Sequence, residues 1–282
     1  MAKVITDNRH YADIAAAIRA KNETETLYKP SEMASAILAI EAGTSIPAFS
    51  YTGEYIVEIE PDTKNWKIKF LTSGDFVITN SLVIDAFLVG GGGAGGNSYS
   101  GGGGSGYTLT QKNVSLDAET YSILIGSGGA VGTDGGNTSA FGYTANGGQR
   151  GGVSSNRNGG NGGSGGGTYG QIVDGGSDGS DGGKASEGTA GKGQGTTTRE
   201  FGESDGKLYA GGGAGGYYAN GEYGAQPGKG GAGGGADPIR SAADNTGGGG
   251  GGGVHKGANG NLSGGEGGSG IVVIRNARTV NE

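Results

Sequence analysis

The sequence contains no cysteine and few prolines, histidines or basic residues. Its 282 residues include no Cys, 5 Pro, 2 His, and 20 Lys and Arg against 27 Asp and Glu, so the net charge is −7. Without Cys the chain has neither a disulfide framework nor thiol chemistry. The acidic balance disfavours nucleic acid as a partner, because proteins that bind nucleic acid are usually basic.

Long apolar runs and catalytic histidine arrangements are also missing. No apolar run approaches the roughly 20 residues that span a membrane, and the first residues, MAKVITDNRHY, lack the apolar region of a signal peptide. His10 and His255 fit no Ser-His-Asp or Cys-His spacing. We therefore expect no membrane insertion, no signal peptide, no enzyme activity, no cofactor and no metal site.

Glycine is what the sequence has in excess. The chain contains 71 Gly, roughly a quarter of its residues against the usual value of about 7%. Collagen is excluded, because it needs a strict Gly-X-Y period and abundant Pro. Disorder is disfavoured, because 32% of the residues are hydrophobic and 13 are Tyr.

Apolar segments bracket the glycine-rich region and predict that its interior is ordered. Residues 84–89 run directly into the glycine stretch 90–106, residues 107–110 follow it, and residues 271–274 close the region. An extended chain with three residues per turn has no internal hydrogen bonds. Its N–H and C=O groups must bond to neighbours or water. Without Cβ atoms, many such chains can pack side by side and bond laterally.

The first 43 residues have a helical pattern instead. One helix is predicted over about residues 8–21 and a second from Pro30 to near Gly43. A helical hairpin this small cannot form a stable core alone. We expect its apolar stripes to mediate attachment or oligomerisation; packing on the chain's own strands is the alternative. The stripe residues are Tyr11, Ile14, Ile18, Met33, Ile37 and Ile40.

Short strands are predicted between this hairpin and the glycine-rich region. Residues 55–59 and 66–70 alternate in the period-2 pattern of half-buried strands, and 76–78 and 81–89 follow them. The segment 81–89 is nearly continuously apolar and is expected to be buried on both faces. The predicted domains are 1–43 helical segment, 44–89 β-scaffold, 90–275 glycine-rich domain and 276–282 tail.

Five motifs occur in the order and spacing of a known domain. They are FLVGGGGAGG at 87–96, GGGGSGY at 101–107, YSILIGSGG at 121–129, GNTSAF at 136–141 and GGSGIVVIR at 267–275. This region resembles the glycine-rich domain of bacteriophage tail-fibre and adhesin proteins. Residues 11–22 and 29–34 resemble the start of phage tail and structural proteins.

The resemblance implies a mixed fold with little regular secondary structure. The expected fold class combines an N-terminal α-helical hairpin, a small β-scaffold and a sandwich of polyglycine II helices. In phage adhesins of this kind, loops at the far tip bind the host surface. By analogy with fibres, the chain would form a homotrimer, whereas the glycine-rich domain itself could be monomeric.

Aromatic residues in the polar inserts are the candidate receptor-binding residues. A flat apolar face with a hydrogen-bonding tip suits saccharide and protein surfaces; covering the flank of the glycine region is the alternative. The candidates are Tyr217, Tyr218, Tyr223, Arg199, Phe201, Tyr209 and Arg240. Asp174, Asp178 and Asp181 supply oxygens suited to Ca²⁺, but their spacing matches no known calcium loop, which favours a solvated acidic loop.

Together these observations predict an adhesin on a virion. We expect a phage tail fibre or receptor-binding protein that attaches to other virion or tail proteins through residues 1–43. Its loops would bind a glycan or protein on the host cell surface. The alternatives are a purely structural virion component, such as a capsid fibre, decoration protein or tail-tip protein, and, third, a glycan-cleaving enzyme.

Overall fold

β-strands form nearly all the regular structure of the computed structural model. The structure describes residues 46–59, 65–152, 156–186, 188–219, 227–257 and 260–278. Within these ranges lie twelve strands and one short 3₁₀ turn, Glu200–Gly202, and no α-helix. Nearly all described residues belong to one unit, Pro47–Glu58 with Lys67–Glu282; the other unit contributes only Ile46, Ile59, Asn65 and Trp66 to the described part.

The strands are numbered in chain order. They are β1 Phe49–Tyr51, β2 Tyr55–Ile59, β3 Trp66–Phe70, β4 Gly74–Ile78, β5 Leu82–Val89, β6 Thr108–Leu116, β7 Thr120–Ile123, β8 Thr138–Ala140, β9 Tyr143–Ala145, β10 Val254–His255, β11 Asn261–Leu262 and β12 Ile271–Asn276. The strands predicted at 55–59, 66–70, 76–78, 81–89 and 271–274 are present, while β8 to β11 lie in the region where the sequence shows no strand pattern.

A five-stranded sheet combines strands from both sides of the glycine-rich region. Its order is β2-β3-β12-β5-β6, so the last strand lies between two early ones. β12 pairs antiparallel with β3 and with β5, placing Val273 opposite Phe87. The last six residues of β5 are buried, as expected for a strand covered on both faces.

Apolar side chains from this sheet form the main core. Phe87, Val89, Ile271 and Val273 pack in one buried cluster with Tyr209 and other residues from the glycine-rich region. Fully burying one such large side chain stabilises the fold by about 1.5–3 kcal/mol. A second sheet, in the order β1-β4-β7, adds aromatic contacts such as Phe70 with Phe76, whose ring centroids are 5.1 Å apart. These sheets fix the ends of the glycine segments.

The glycine segments between Gly90 and Gly270 bond sideways to one another and form a glycine lattice. Gly93 N–H donates to Gly104 O and Gly103 N–H to Gly250 O, both at 2.8 Å. Most of these bonds join residues far apart in the sequence. The spacing leaves no room for side chains: a Cβ on Gly92 would lie 1.9 Å from Gly248 O. The run of Gly therefore follows from how closely the backbones approach.

The segments run alternately away from the sheet and back to it. Gly90 N–H donates to Tyr107 O next to the sheet, whereas Gly96 N–H donates to Gly101 O at the far end of the same hairpin. We call that far end the distal end of the lattice. The chain reverses there at Ser98 and Tyr99, whose φ values of 20° and 52° are positive. Later reversals lie near Ile172, Tyr218 and His255, as the lateral bonds of the flanking segments show.

Polar side chains satisfy the backbone at the edges of the lattice. Asn158 Oδ1 accepts from Thr189 N–H and Asn161 Oδ1 from Lys192 N–H, both at 2.7 Å. The same three-residue step recurs elsewhere: Asp174 and Ser177 accept from Lys229 and Ala232, and Ser241 and Asp244 from Glu266 and Ser269. An outer segment lacks a lateral neighbour, so these side chains replace the missing carbonyl. We call them edge caps.

The fold class predicted from the sequence is wrong for the described part of the chain. The prediction was a mixed fold with little regular secondary structure and only a small β-scaffold, whereas the regular structure of the described residues is mostly β and forms twelve strands in four sheets, with no α-helix among them. One strand after the glycine-rich region, β12, lies between β3 and β5 in the main sheet. The sequence pattern does not reveal this pairing, because the partners are distant in the chain. The predicted hairpin and its stripe residues lie outside the described residues.

Candidate functional site at the distal end of the lattice

An aromatic group lies at the distal end of the lattice. Tyr99 stacks on His255 with ring centroids 3.9 Å apart, and Tyr218 lies 4.9 Å from the same imidazole. Tyr169 lies 5.4 Å from Tyr99. The Arg157 guanidinium sits 5.6 Å from the Tyr99 ring and 5.3 Å from the Tyr169 ring. We call these five residues the distal aromatic cluster.

Backbone bonds between separate segments hold the cluster in place. His255 N–H donates to Tyr217 O at 3.0 Å, and Ala219 N–H donates to His255 O at 2.7 Å. The buried Ser100 hydroxyl, next to Tyr99, donates to Gly96 O at 2.6 Å and accepts from Gly253 N–H at 2.8 Å. His255 Nδ1 also contacts Asn261 Oδ1 across the β10–β11 hairpin. Three distant parts of the chain thus meet at one surface.

Tyr169 is the buried member of the cluster. Only 7% of the residue is exposed, and its hydroxyl bonds to no described residue. Burial raises the pKa of Tyr169 to about 12, so this phenol is neutral at physiological pH. Beside it lies a cavity of about 430 Å³ lined by Arg157, Tyr169, Gly170, Gln171, Ala185 and Ser186.

The other members are half-buried and combine flat rings with polar tips. Tyr99, Tyr218, His255 and Arg157 each retain partial exposure. Tyrosine rings offer an apolar face and a hydroxyl at low entropic cost, and arginine adds charge over the ring faces. The arrangement can bind a saccharide ring or a protein loop, whereas it has no nucleophile paired with a general base.

The predicted tyrosines fall partly at this site. Tyr217 and Tyr218 lie at the distal end, both half-buried, and Tyr218 belongs to the cluster. Tyr223 lies outside the described residues. Arg240 is exposed in a different reversal, where its carbonyl accepts from Gly251 N–H at 3.0 Å. The predicted tip is therefore brought together only in part.

The insert 196–209 is not part of the distal end, which corrects the prediction for Phe201 and Tyr209. These residues are 2% and 0% exposed, and both rings pack near Phe87 of β5. A receptor cannot reach them. Arg199 is also engaged: its Nε lies 3.3 Å from Asp178 Oδ2, and Nη1 donates to Gly206 O at 3.2 Å. Because the insert is mostly polar in composition, the sequence did not indicate that these two aromatic residues are buried.

A charged network holds this insert on the sheet. Arg275 of β12 is 1% exposed; its Nη2 lies 3.0 Å from Asp85 Oδ2 and 2.7 Å from Glu203 Oε1. The guanidinium also lies 4.0 Å from the Phe201 ring centroid. The hydrogen bond from Arg275 lowers the pKa of Glu203 below its ordinary value of 4.5. Lys67 Nζ also lies 2.6 Å from Glu200 Oε1 of the insert.

The three aspartates considered for calcium serve the backbone instead. Asp174 Oδ1 accepts from Lys229 N–H at 2.6 Å, and Asp181 Oδ1 accepts from Gly193 N–H at 2.8 Å. Asp178 Oδ1 accepts from the Thr197 hydroxyl at 2.6 Å and from Thr198 N–H at 3.1 Å, and both bonds lower the pKa of Asp178. Across the ranges that the structure describes, no group of three or more His, Cys, Asp or Glu is arranged to hold a metal ion.

Sequence reasoning missed four of the five cluster residues. Tyr99, Arg157, Tyr169 and His255 are scattered through the sequence and come together only when the lattice forms. A usable signal existed, because Tyr99, Tyr169 and His255 each stand within two residues or so of a glycine run.

Comparison with known families agrees with the lattice and its flanking strands. The model of the family described as "Glycine-rich domain" matches residues 72–277, which covers well over half of the chain. The chain therefore belongs to this glycine-rich domain family. None of the curated proteins matches the chain. Within the described ranges, no helix has the length and apolarity needed to cross a membrane.

Proposed function

We propose that this chain is a receptor-binding adhesin of a phage tail fibre. The distal aromatic cluster would contact a glycan or protein on the host cell surface. One observation carries the proposal: half-exposed rings and a guanidinium from distant segments converge at the end of the lattice farthest from the sheet. The chain enters the lattice from β5 and leaves it into β12, so the cluster faces away from these strands.

Membership of the glycine-rich domain family and the resemblance to phage adhesin motifs support this proposal. Residues 1–43 would attach the adhesin to other virion or tail proteins, and the protein would then lie on the outer face of the tail. The lateral bonds of the lattice are made by the backbone, so the residues at the reversals can vary without disturbing it. That property suits a protein whose tip adapts to a surface.

The test measures binding of the labelled full chain to a panel of bacterial strains. Replacing Tyr217 and Tyr218 by Ala should abolish saturable binding, because central aromatic anchors contribute about 2 kcal/mol or more at protein interfaces. The melting temperature should change little. Tyr143→Ala is the matched control, since Tyr143 is a half-buried tyrosine in β9 at the sheet end of the lattice.

The outcomes separate a binding role of the two tyrosines from a structural one, and the adhesin from the alternative functions. Loss of binding with an unchanged melting temperature supports the adhesin, and a fall in melting temperature shows that the tyrosines are structural. Absence of binding to every strain, including the host of the parent phage, favours a purely structural virion component. Loss of surface polysaccharide after treatment with the protein would instead indicate a glycan-cleaving enzyme.

A further inference from the structure

Two isoleucines stand exposed at turns of the glycine lattice. Ile172 is 67% exposed, the largest exposed fraction among the large apolar side chains of the described residues, and Ile239 is 38% exposed. Each is the second residue of a two-residue turn, Gln171–Ile172 and Pro238–Ile239. Single exposed apolar residues are common on protein surfaces, so exposure alone assigns them no role. We call them the turn isoleucines.

The backbone at both turn isoleucines is in a conformation that branched side chains avoid. Their φ values are 51° and 60°, and they are the only β-branched residues with positive φ in the described part of the chain. Gly and Asn adopt this left-handed region most readily. In the turn 237–240, whose last N–H donates to its first carbonyl at 3.0 Å, Ile239 occupies the third position, where Gly or Asn normally stands. The turn 130–133 has Gly132 at that position, with a φ of 81°.

Packing explains the other strained apolar residues but not these two. Phe141, with a φ of 55°, has its ring centroid 5.5 Å from that of Tyr121. Phe201 and Ala210, with φ of 56° and 53°, are buried in the main core. A strained isoleucine that stays exposed costs stability and gains little packing in return. Strained residues cluster at sites that bind other molecules, so the turn isoleucines indicate contact with a partner.

Ile239 lies at the distal end of the lattice. Its N–H donates to Gly252 O at 3.0 Å. The next residue, Gly253, donates through its N–H to the Ser100 hydroxyl at 2.8 Å. Ser100 directly follows Tyr99 of the distal aromatic cluster. Lateral hydrogen bonds therefore connect the turn at Ile239 to the cluster.

Ile172 lies at the same end. Gly170, two residues before it, donates to Gly216 O at 2.8 Å, and Gly216 N–H donates to Ser100 O at 2.9 Å. Tyr169 of the cluster immediately precedes Gly170. Both turn isoleucines are thus connected to Ser100, next to the cluster. The distal end combines aromatic rings, a guanidinium and exposed aliphatic side chains.

We propose that the turn isoleucines contact a protein on the host cell surface, and not a glycan. This assignment rests on the adhesin function proposed above and names the class of its receptor. An isoleucine side chain has no hydrogen-bonding group, so burying it is favourable only against another apolar surface. The hydroxyls around a sugar ring would lose water there without gaining a partner. A protein loop supplies apolar side chains, and the cores of protein interfaces combine them with aromatic rings and Arg.

The first test uses the labelled full chain and cells of a strain that it binds. Pretreating the cells with a protease should abolish saturable binding, whereas periodate, which oxidises the vicinal diols of sugars, should leave it intact. Loss of binding after periodate would assign a glycan receptor and overturn the proposal while the adhesin function stands. Vesicles of phosphatidylethanolamine and phosphatidylglycerol are the third probe, and binding to them would assign a lipid surface instead. Absence of binding to every strain would refute the adhesin function and this proposal with it.

The decisive variant is Ile172→Asn with Ile239→Asn. Asn adopts positive φ with less strain than a branched residue, so the melting temperature should hold or rise. The affinity for the cells should fall at least tenfold, because the apolar contacts are lost. Leu124→Asn is the matched control. Leu124 is 52% exposed and pairs with Ser139 of β8, away from the distal end, so this variant should keep its affinity within twofold.

A single variant covers the case in which the double substitution does not fold. Ile172→Asn changes the more exposed of the two side chains and should weaken binding severalfold, whereas Ile172→Val keeps an apolar branched side chain and should bind like the wild type. Unchanged affinity in Ile172→Asn and in a folded double variant would overturn the proposal. If replacing Tyr217 and Tyr218 by Ala still abolished binding in that case, the adhesin function would stand without it.

Discussion

The glycine lattice can form because most of its residues lack a Cβ atom. A Cβ built on Gly95 would lie 1.9 Å from Gly251 O, and one on Gly103 would lie 2.0 Å from Gly93 O. Contacts below 3.0 Å require the facing backbone to move. Because each segment bonds to several neighbours, movement at one contact disturbs the others. At such positions the free energy of unfolding depends on the absence of a side chain.

Gly92→Ala should therefore destabilise the protein severely. The new methyl group would lie 1.9 Å from Gly248 O, and the loss should exceed the roughly 1–3 kcal/mol of ordinary overpacking in a core. Gly132→Ala is the control, because nothing lies within 4 Å of its Cβ position and only its φ of 81° is unfavourable. That strain costs about 1–2 kcal/mol.

Chemical unfolding in urea measures both variants under the same conditions. Similar losses for Gly92→Ala and Gly132→Ala would mean that backbone strain, and not steric exclusion, explains the glycine content. The sequence itself predicts the close approach, since runs such as 247–253 allow it and the flanking apolar segments fix their ends. It does not predict which segments are neighbours: nothing local to Gly103 indicates that its bonding partner is Gly250.

At the scale of elements, the insert 196–209 depends on a buried arginine. Arg275→Met removes the partner of Asp85, which is only 2% exposed and would then be an uncompensated buried charge. Breaking a buried pair on one side costs about 3–5 kcal/mol. Thermal or chemical unfolding of the variant should show a loss of this size.

The double variant Arg275→Met with Asp85→Asn is the control for that interpretation. In the wild type, Asp85 Oδ1 accepts a hydrogen bond from Asn113 N–H at 3.1 Å. Asn at position 85 keeps an oxygen that can accept the same bond. It should recover part of the lost stability, because the buried charge is gone. Equal or greater loss in the double variant would show that packing of Arg275 against Phe201, and not its charge, dominates.

The same network predicts how stability depends on pH. Arg275 lowers the pKa of Glu203 below 4.5 in the folded protein. The unfolded chain therefore takes up the proton first as pH falls, and the ionised group stabilises the fold fully only above about pH 4.5. The stability advantage of the wild type over Glu203→Gln should shrink as pH falls below that value. A gap in melting temperature that stays constant from pH 7 to pH 3 would contradict this.

Elements differ in how far the sequence predicts them. β5 and β12 are recognisable because their apolar runs are continuous and stand at the borders of the glycine region. The edge caps have a pattern too, a polar residue repeated after two small residues, as in NGGN at 158–161, DGGS at 174–177 and SAAD at 241–244. The packing of residues 196–209 on the sheet could not be predicted from the sequence. Phe201 and Tyr209 stand among charged neighbours, and the partners of these charges lie on distant strands.

At the scale of the whole molecule, side chains are distributed by position along the lattice. Buried apolar and aromatic side chains gather at the sheet end, edge caps occupy the flanks, and the half-exposed rings of Tyr99, Tyr218 and His255 lie at the distal end. The candidate site could be predicted only as a class of residues, since Tyr218 is identifiable from its insert but its contact with His255 depends on the whole chain path. Lateral neighbours arise from the order of reversals, which sequence periodicity does not encode.

The pairing of β5 with β12 also determines how the protein responds to mechanical force. Ile84 faces Asn276 across this antiparallel pair, so the chain enters and leaves at the same end of the sheet. Tension applied through the two flanking chain segments is carried by the sheet alone. The glycine segments between Gly90 and Gly270 lie outside the path along which this force is transmitted. A pull on the chain would therefore have to unzip β5 from β12 before any glycine segment felt it.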